Sequence, residues 1–161
     1  MHYLFSCYIC SNTLLIYLDK ILSRIINISE AASLAIHSMA IIASTDKRMN
    51  VLEIATLFNF SKNHLAKVMQ MLVKGGYLKS TRGPSGGFTL NKDAKDVNLL
   101  EIYELIEGSI SGRMCNMCLD DCIFEPCIYG GLGDRVKNDV KEYLENTTIQ
   151  DLKTKLTLKK Q

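Results

Sequence analysis

The sequence predicts a mainly α-helical fold with a small β-hairpin wing: a winged helix-turn-helix followed by a long C-terminal helix. Three observations predict it. Two short amphipathic helices are separated by a tight turn at Asn59, which is the pattern of a helix-turn-helix unit. Two strand-like runs then flank the glycine-rich stretch 83–87, which is typical of a hairpin. Farther along, apolar residues recur at helical spacing through residues 131–145.

The composition limits the kind of protein this is. A chain of 161 residues and 18.1 kDa is the size of one compact domain, or of a small domain with a helical extension, and is too short for a multidomain enzyme. With 47% hydrophobic and 22% charged residues it can bury a core, which excludes intrinsic disorder for most of the chain. The formal charge of +2 is too small to indicate nucleic-acid binding by itself. An electrostatic function therefore requires local segregation of charge.

Residues 1–25 form an apolar extension. It lacks a basic leading segment, and its apolar run is broken by residues 11–13 and stopped by Asp19 and Lys20. The uninterrupted apolar run is therefore shorter than the roughly 20 continuous apolar residues that a membrane-spanning helix needs. We expect an amphipathic helix or an accessory leader. Contact with a membrane surface is the weaker alternative, because only Lys20 and Arg24 are available for anionic lipid.

Capping residues delimit the first two helices of the core. Ser29 is an expected N-cap, and apolar residues follow it at helical spacing up to about Thr45. Asn50 and Glu53 have capping-box spacing ahead of a second, shorter helix that ends at Asn59.

The third helix carries the candidate base-reading face. It starts at the expected cap Ser61 and ends at Gly75 and Gly76, with Leu65, Val68, Met69 and Leu72 on the apolar side. The opposite side is polar: Asn and Gln can bond adenine, Lys can reach guanine or phosphate, and a helix N-terminus favours phosphate. A solvated face is the alternative, and for His64 simple packing is the stronger one. The predicted DNA contacts are Ser61, Lys62, Asn63, His64, Lys67 and Gln70.

The wing is predicted from the runs 77–81 and 88–90. Arg82 stands where the first strand enters the turn, and the glycines after it allow the backbone to approach a groove closely. A narrow minor groove concentrates negative potential that an arginine can sense. We therefore predict minor-groove contact by Arg82, with Ser85 as a further contact of the same turn.

The remaining elements follow from caps and periodicity. Asn98 is an expected cap of a fourth helix that Gly108 closes. Thr148 and Asp151 have the spacing to cap a final short helix carrying Leu152 and Leu156. Between these lies the helix at 131–145, whose apolar stripe needs a partner surface. The residues of the stripe are Leu132, Val136, Val140, Tyr143 and Leu144.

Charge is segregated along the chain. Between Glu53 and Asp93 there is no Asp or Glu, and the positive residues there are Lys62, Lys67, Lys74, Lys79, Arg82 and Lys92. From Asp93 to Cys127 eight acidic residues face only Lys95 and Arg113. Phosphates are the natural partner of the basic half, because neutralising them releases counterions. The acidic half is expected to face away from DNA.

The run from Gly75 to Phe88, GGYLKSTRGPSGGF, resembles the Rrf2 family of bacterial winged-helix regulators, which includes the IscR-like and NsrR-like iron-sulfur repressors. The resemblance covers about residues 26–157. It implies a cytoplasmic homodimeric transcriptional regulator, a repressor of operator DNA, whose long helix crosses that of its partner. It also implies base contacts from Asn63 and its neighbours. Ala66 stands where members often carry an acid, so the operator sequence cannot be transferred.

The resemblance divides the chain into an extension, 1–25, a DNA-binding domain, 26–108, a cysteine-rich loop, 109–130, and a dimerisation helix with its tail, 131–161.

In the cysteine-rich loop the four residues Cys115, Cys118, Cys122 and Cys127 are separated by two, three and four residues. Clustered cysteines in a reducing compartment bind metal or undergo redox chemistry. Thiolate ligation suits both zinc and an iron-sulfur cluster. A structural zinc site typically has two close Cys pairs, and only one is present, so we expect a 2Fe-2S or 4Fe-4S cluster, with zinc as the alternative.

The resemblance also suggests the ligands. Cys115 and Cys127 have the span of the family's outer cysteines, Cys122 lies near the usual middle position, and Cys118 is a surplus thiolate. IscR-like members have a histidine after the last cysteine, and this chain does not. Other members take a fourth ligand from the partner's first helix, at positions that fall on Ser33 and His37.

Of these two residues only His37 is a good ligand. The ordinary alternative for it is a histidine satisfied beside Ile36 and Ile41. Outside the loop, Cys7 and Cys10 have ligand spacing but no second pair nearby, and we expect them to be incidental.

The sequence leaves two alternatives to a cluster-controlled regulator. One is a winged-helix DNA binder with a zinc-bound or cluster-free loop that responds to thiol oxidation. The other is a redox enzyme, which is disfavoured because no nucleotide-binding loop and no nucleophile paired with a base is present. We therefore expect no enzymatic activity and no small-molecule substrate.

Overall fold

A computed structural model describes residues 28–45, 47–83, 85–110, 124, 126 and 128–153. These residues contain five α-helices and a two-stranded antiparallel sheet, so the predicted fold class is confirmed. In chain order the elements are α1 (Glu30–Ala43), α2 (Val51–Phe58), α3 (Lys62–Lys74), β1 (Leu78–Thr81), β2 (Gly87–Leu90), a 3-10 turn (Ala94–Asp96), α4 (Leu99–Glu107) and α5 (Leu132–Asn146).

The predicted caps are present. The Ser29 hydroxyl accepts a hydrogen bond from the Ala32 amide at 3.1 Å and donates to the carboxylate of Glu107. Asn50 and Glu53 form the full capping box, with reciprocal bonds of 3.0 and 2.8 Å. These bonds satisfy amides that a helix N-terminus otherwise leaves without partners, which is why the cap residues fix the helix starts.

The core of the larger of two compact units is built from α1, α3 and α4. The unit consists of residues 28–109 together with 140–153 as far as they are described, and the other unit contains 110 and the described residues up to 139. In the first unit α3 buries the apolar stripe predicted for it. The largest fully buried side chains include Leu34, Met39, Ile54, Leu65, Met69, Leu72 and Ile102.

The turn between α2 and α3 spans only residues 59–61. Asn59 adopts a left-handed conformation with φ of 57°, which asparagine tolerates better than most residues. The Phe60 amide then bonds to the Ala55 carbonyl at 3.0 Å. The two helices are thereby fixed in the helix-turn-helix arrangement that the sequence predicts.

The wing pairs Leu78 with Leu90 at its base and Thr81 with Gly87 at its tip. Met49, ahead of α2, adds a bridge to Phe88, with N–O distances of 3.3 and 2.9 Å. A Cβ on Gly87 would lie 2.9 Å from the Met49 carbonyl oxygen, so glycine permits this close approach. The bridge ties the wing to the start of the helix-turn-helix, a contact that the sequence did not predict.

The segment after α5 packs against the start of α4 and the residues just before it. The amides of Leu99 and Ile149 bond to the carbonyls of Thr147 and Val97, each at 2.9 Å, and Ile149 is fully buried. The short final helix predicted here is wrong over its described part, because residues 149–152 form a turn. Thr148 is held in a β-bridge to Asn98, and its amide and hydroxyl both donate to Asp151, closing the turn.

The apolar extension, residues 1–25, and Leu156 lie outside the described residues. Among the helices that the structure describes, none has the length and apolar character to cross a bilayer.

Candidate nucleic-acid interface

The outer face of α3 is polar and exposed. Because the opposite face supplies core residues, the side chains of Lys62, Asn63, Lys67, Gln70 and Lys74 lie in solvent. Ser61 caps the helix through a 3.5 Å bond from the His64 amide. The structure therefore brings the predicted helix residues together on one surface. Whether they contact bases remains a prediction.

Met71 is a residue of this surface that the sequence analysis did not identify. It is 39% exposed, next to Gln70, whereas Met69 on the same helix is fully buried. Position 71 lies outside the i, i+3, i+4, i+7 pattern of the apolar residues, so the spacing is sufficient to predict that Met71 is exposed. Its apolar side chain can contact a thymine methyl group in a major groove.

His64 has a contact inside the protein. Its Nδ1 lies 3.5 Å from Oε1 of Glu30, in the first turn of α1, and its side chain is 37% exposed. This contact joins the start of α3 to the start of α1. This contact decides neither alternative, and both packing and a DNA contact by His64 stay predictions.

Arg82 and Ser85 occupy the tip of the wing. Both are exposed, and Arg82 directly follows β1. The turn is closed by a 2.9 Å bond from the Gly86 amide to the Gly83 carbonyl, with Gly83 at φ of 116°. A side chain on Gly86 would place its Cβ 2.4 Å from the Thr81 carbonyl oxygen, so the tip is narrow by necessity. A narrow tip of this kind suits insertion into a groove.

Five of the six cations of the basic stretch are exposed and form no ion pair with a carboxylate of the described residues. Lys92 is different. Its Nζ lies 3.6 Å from the Glu101 carboxylate and 4.4 Å from the centre of the Tyr77 ring. Lys92 therefore fastens the base of the wing to α4 and is not part of the basic surface.

Tyr77 completes this contact at the base of the wing. Its hydroxyl donates to the Glu101 carboxylate at 3.2 Å. Burial, and secondly the negative charge of Glu101, raise the pKa of Tyr77 above its ordinary value. The phenol therefore keeps its proton, and the hydrogen bond it donates, throughout the neutral range.

His37 is the one proposed metal ligand that lies within the described residues. Its Nδ1 is 2.7 Å from the Ser33 carbonyl oxygen, one helical turn earlier. A carbonyl oxygen can only accept, so Nδ1 carries a proton and the neutral ring keeps its lone pair on Nε2. Metal-bound histidines typically have this arrangement.

An aromatic cluster joins His37 to the turn of the helix-turn-helix. The His37 ring contacts Phe58 edge-on, with centroids 5.5 Å apart, and Phe58 stacks with Phe60 at 5.4 Å. Phe58 is the last residue of α2, and Phe60 precedes the cap Ser61. The two phenylalanines flank Asn59, but their contact with α1 depends on tertiary structure and had no signature in the sequence.

Cys115, Cys118, Cys122 and Cys127, like Cys7 and Cys10, lie outside the described residues. Within the described part of the chain no group of three His, Cys, Asp or Glu side chains forms a metal site.

The apolar stripe of α5 is partly exposed to solvent. Leu132 and Tyr143 are 41% and 63% exposed, Val136 and Val140 are half-buried, and Leu144 is buried. The opposite side of the helix carries charged residues, with Lys137 and Asp134 paired at 3.9 Å. An exposed apolar stripe of this length is typical of a surface that another chain covers.

Comparison with known proteins agrees with this architecture. A family model described as an iron-dependent transcriptional regulator, Rrf2, matches residues 28–155. A putative helix-turn-helix transcriptional regulator of Aquifex aeolicus is 31% identical over 128 residues, which is 77% of this chain and 89% of the relative. The regulator NsrR of Halalkalibacterium halodurans is 32% identical over 68% of this chain and 76% of its own.

Solved structures show the same fold. CymR, the global cysteine regulator of B. subtilis, superposes with a TM-score of 0.65 at 25% identity, covering 77% of this chain and 93% of its own. IscR of T. potens superposes with a TM-score of 0.60 at 21% identity, covering 77% of this chain and 83% of its own.

Proposed function

The chain belongs to the Rrf2 family of DNA-binding transcriptional regulators, which are not enzymes, and we propose that it is a homodimeric repressor whose operator affinity is controlled by an iron-sulfur cluster. The observation that carries the DNA-binding part is the exposed basic surface of α3 and the wing. Its cations have no ion pairs with described carboxylates, and such cations are available to phosphates.

On DNA, α3 lies in the major groove with Asn63, Lys67 and Gln70 towards the bases. Lys62 and Ser61 at its N-terminus contact phosphate, assisted by the helix dipole. The wing enters the adjacent minor groove with Arg82, and Ser85 contacts the backbone there. Each of these residues is exposed, which supports their availability to DNA.

Dimerisation uses the apolar stripe of α5. A two-fold interface presents the same surface from each chain, and a helix with one uncovered apolar stripe suits such self-association. Dimers of this kind bind two half-sites about one helical turn of DNA apart. We therefore expect a palindromic operator.

The residues of this chain fit an iron-sulfur cluster. The four loop cysteines supply thiolates, and the Nε2 lone pair of His37 is oriented by the bond from Nδ1 to Ser33. With a cluster bound, the loop thiolates and an imidazole from the partner's first helix would all ligate its iron and so link the loop to that helix, and loss of the cluster would remove that link. His37 belongs to the aromatic cluster with Phe58 and Phe60, so a change at its ring acts on the turn before α3. This contact offers a physical path from the cluster to the DNA-contacting helix.

Operator selection from random DNA tests the DNA-binding mode. The full-length protein is expected to enrich a palindrome and to protect two half-sites as a dimer. Enrichment of a single half-site bound by a monomer would contradict the dimeric mode.

Ligand variants test the cluster. Anaerobic reconstitution is expected to give a brown wild-type protein, and Cys115→Ser, Cys122→Ser and Cys127→Ser are expected to be colourless. Cys118→Ser keeps the cluster with altered lability, and Cys7→Ser and Cys10→Ser match the wild type. A colourless wild type with stoichiometric zinc would favour the thiol-responsive alternative.

The fourth ligand is decided by one pair of variants. We expect His37→Ala to bleach the protein while Cys118→Ser does not, since Nε2 of His37 is prepared for ligation across the dimer. A brown His37→Ala beside a colourless Cys118→Ser would mean that four cysteines of one subunit hold the centre.

A further inference from the structure

A cleft lies between the end of α1 and the outer face of α2, outside the residues proposed to contact DNA. Its volume is about 750 Å³, within the range of roughly 300–1,000 Å³ typical of small-molecule sites. Met49, Leu52 and Leu57 form its apolar wall. Leu52 is 59% and Leu57 40% exposed. The buried residues of α2 are Ile54 and Ala55, so the two leucines are not part of the core.

Among the described residues that line the cleft, two are cations and one is a carboxylate. Lys47 and Arg48 line it, both are exposed, and neither is paired with a carboxylate of the described residues. Glu53 also lines the cleft, but its carboxylate accepts the Asn50 amide at 2.8 Å as part of the capping box. An apolar wall next to two unpaired cations is complementary to a molecule with an apolar body and an anionic head.

The cleft lies where a ligand can affect DNA binding. Met49 contributes to its wall and exchanges both backbone hydrogen bonds with Phe88 of the wing. Leu52 and Leu57 belong to the first helix of the helix-turn-helix. A molecule in the cleft therefore touches the segment that joins the wing to α2.

We propose that this cleft binds a small amphipathic organic carboxylate, with its apolar body against Leu52 and Leu57 and its carboxylate on Lys47 and Arg48. Occupancy alters the attachment of the wing to the helix-turn-helix and so alters the affinity for DNA. None of the residues that line the cleft is among the proposed cluster ligands, and the proposal does not depend on the cluster.

Three probes with alkyl chains of nine or ten carbons and different head groups test the site: decanoate, decanol and decyltrimethylammonium. Each is titrated into the full-length protein below its micellar concentration, with binding followed by calorimetry and by backbone amide shifts. Decanoate is expected to bind at least about 10-fold more tightly than decanol, because Lys47 and Arg48 contact its head group. The cation is expected not to bind, and the shifts are expected to cluster at residues 44–57.

Variants locate the binding. The double substitution Lys47→Ala/Arg48→Ala is expected to weaken decanoate to the level of decanol, and Leu52→Glu to abolish the binding of both. Ile28→Glu is the matched control, since Ile28 is 57% exposed and does not line the cleft, and it is expected to bind decanoate like the wild type. Equal affinity for all three heads, or shifts centred on α5, would overturn the proposal as detergent-like adsorption.

The link to DNA is tested with the cluster-free Cys115→Ser protein and a DNA fragment that it binds. Decanoate is expected to change the dissociation constant for that fragment at least about 3-fold, and Leu52→Glu to remove the effect. Unchanged DNA affinity with decanoate bound would overturn the regulatory part. If the Lys47/Arg48 variant loses DNA affinity while wild-type protein fails to bind decanoate, the two cations are phosphate contacts and the ligand site is wrong. Because the cluster is absent throughout, neither failure can be confused with failure of the cluster proposal.

Discussion

Helices α3 and α5 are both amphipathic, but they use their apolar sides differently. In α3 the apolar residues Leu65, Val68, Met69 and Leu72 are all buried in the core. In α5 only Leu144 is buried, while Leu132 and Tyr143 remain exposed. A helix whose apolar stripe is covered within its own chain presents its polar side outward, and a helix whose stripe is uncovered presents an apolar surface to a partner.

The difference shows why periodicity alone does not assign a role to a helix. Both helices have the same kind of pattern in the sequence, yet the apolar stripe is buried in α3 and partly exposed in α5. Helix α3 suits a polyanion and helix α5 suits a second copy of the chain. The following predictions test this comparison.

The largest effect is expected from the stripe of α5. Each buried valine contributes about 1.5–3 kcal/mol, so the double substitution Val136→Glu/Val140→Glu should weaken a dimer by at least about 3 kcal/mol, or more than roughly 100-fold. Sedimentation equilibrium measures this directly. Lys141→Glu, on the exposed polar side, adds the same charge and should leave the dimer intact. Equal dissociation of both variants would mean that charge, and not the stripe, governs assembly.

Two methionines of α3 separate its faces. Met69→Ala should lower the free energy of unfolding by about 2–5 kcal/mol, because Met69 is fully buried and its loss leaves a cavity. Met71→Ala should change it by less than about 0.5 kcal/mol, since Met71 is 39% exposed. Urea unfolding of both variants supplies the comparison. Similar destabilisation by the two would contradict the orientation of α3.

The wing and its first strand provide a matched pair for DNA. Arg82→Ala should weaken binding to operators with AT-rich centres by about 1–3 kcal/mol and affect random DNA less, because Arg82 senses groove shape. Lys79→Ala should weaken both DNAs alike, as a phosphate contact does. Fluorescence anisotropy at fixed salt distinguishes them. If both variants lose affinity equally across sequences, Arg82 does not read the minor groove.

The smallest effect concerns the turn after α5. The hydroxyl and then the amide of Thr148 donate to Asp151 and hold the pKa of that carboxyl below its ordinary value. A lowered folded pKa stabilises the protein above the unfolded pKa, and this contribution is lost as the pH falls through the folded value. Asp151→Asn should therefore be less stable than the wild type at neutral pH.

The difference in stability between the wild type and Asp151→Asn should shrink as the pH falls below about 4. Urea midpoints from pH 2 to 7 measure it, and Thr148→Val should reproduce part of the loss. A difference that stays constant down to pH 2 would exclude Asp151 as the titrating group.

Local rules explain what the sequence could predict. The caps at Ser29, Asn50 and Asn98 depend on residues within three positions, so helix starts follow directly from the sequence. The same applies to the buried stripe of α3 and to the hairpin glycines. The bond from His37 to Ser33 is also local, because residues four apart face each other on a helix.

The contacts that could not be predicted join distant parts of the chain. Lys92 belongs to the basic stretch of the sequence, but it pairs with Glu101 of α4. Residues 149–152 form a turn where the sequence predicts the start of a helix, and Thr148 before them pairs with Asn98. The contact of His37 with Phe58 and the bridge between Met49 and Phe88 likewise depend on how the elements pack. Neither composition nor periodicity contains this information.

Control of DNA binding by the cluster is tested most directly by one comparison of operator affinities. Anaerobically reconstituted wild-type protein, with its iron content measured, is titrated against its selected operator beside the same preparation after iron chelation, at fixed salt and with fluorescence anisotropy. Our account predicts at least about a 10-fold difference between the two forms, corresponding to a coupling free energy of about 1.4 kcal/mol, and no such difference in Cys115→Ser. Identical operator affinity for the iron-loaded and iron-free wild type would contradict it.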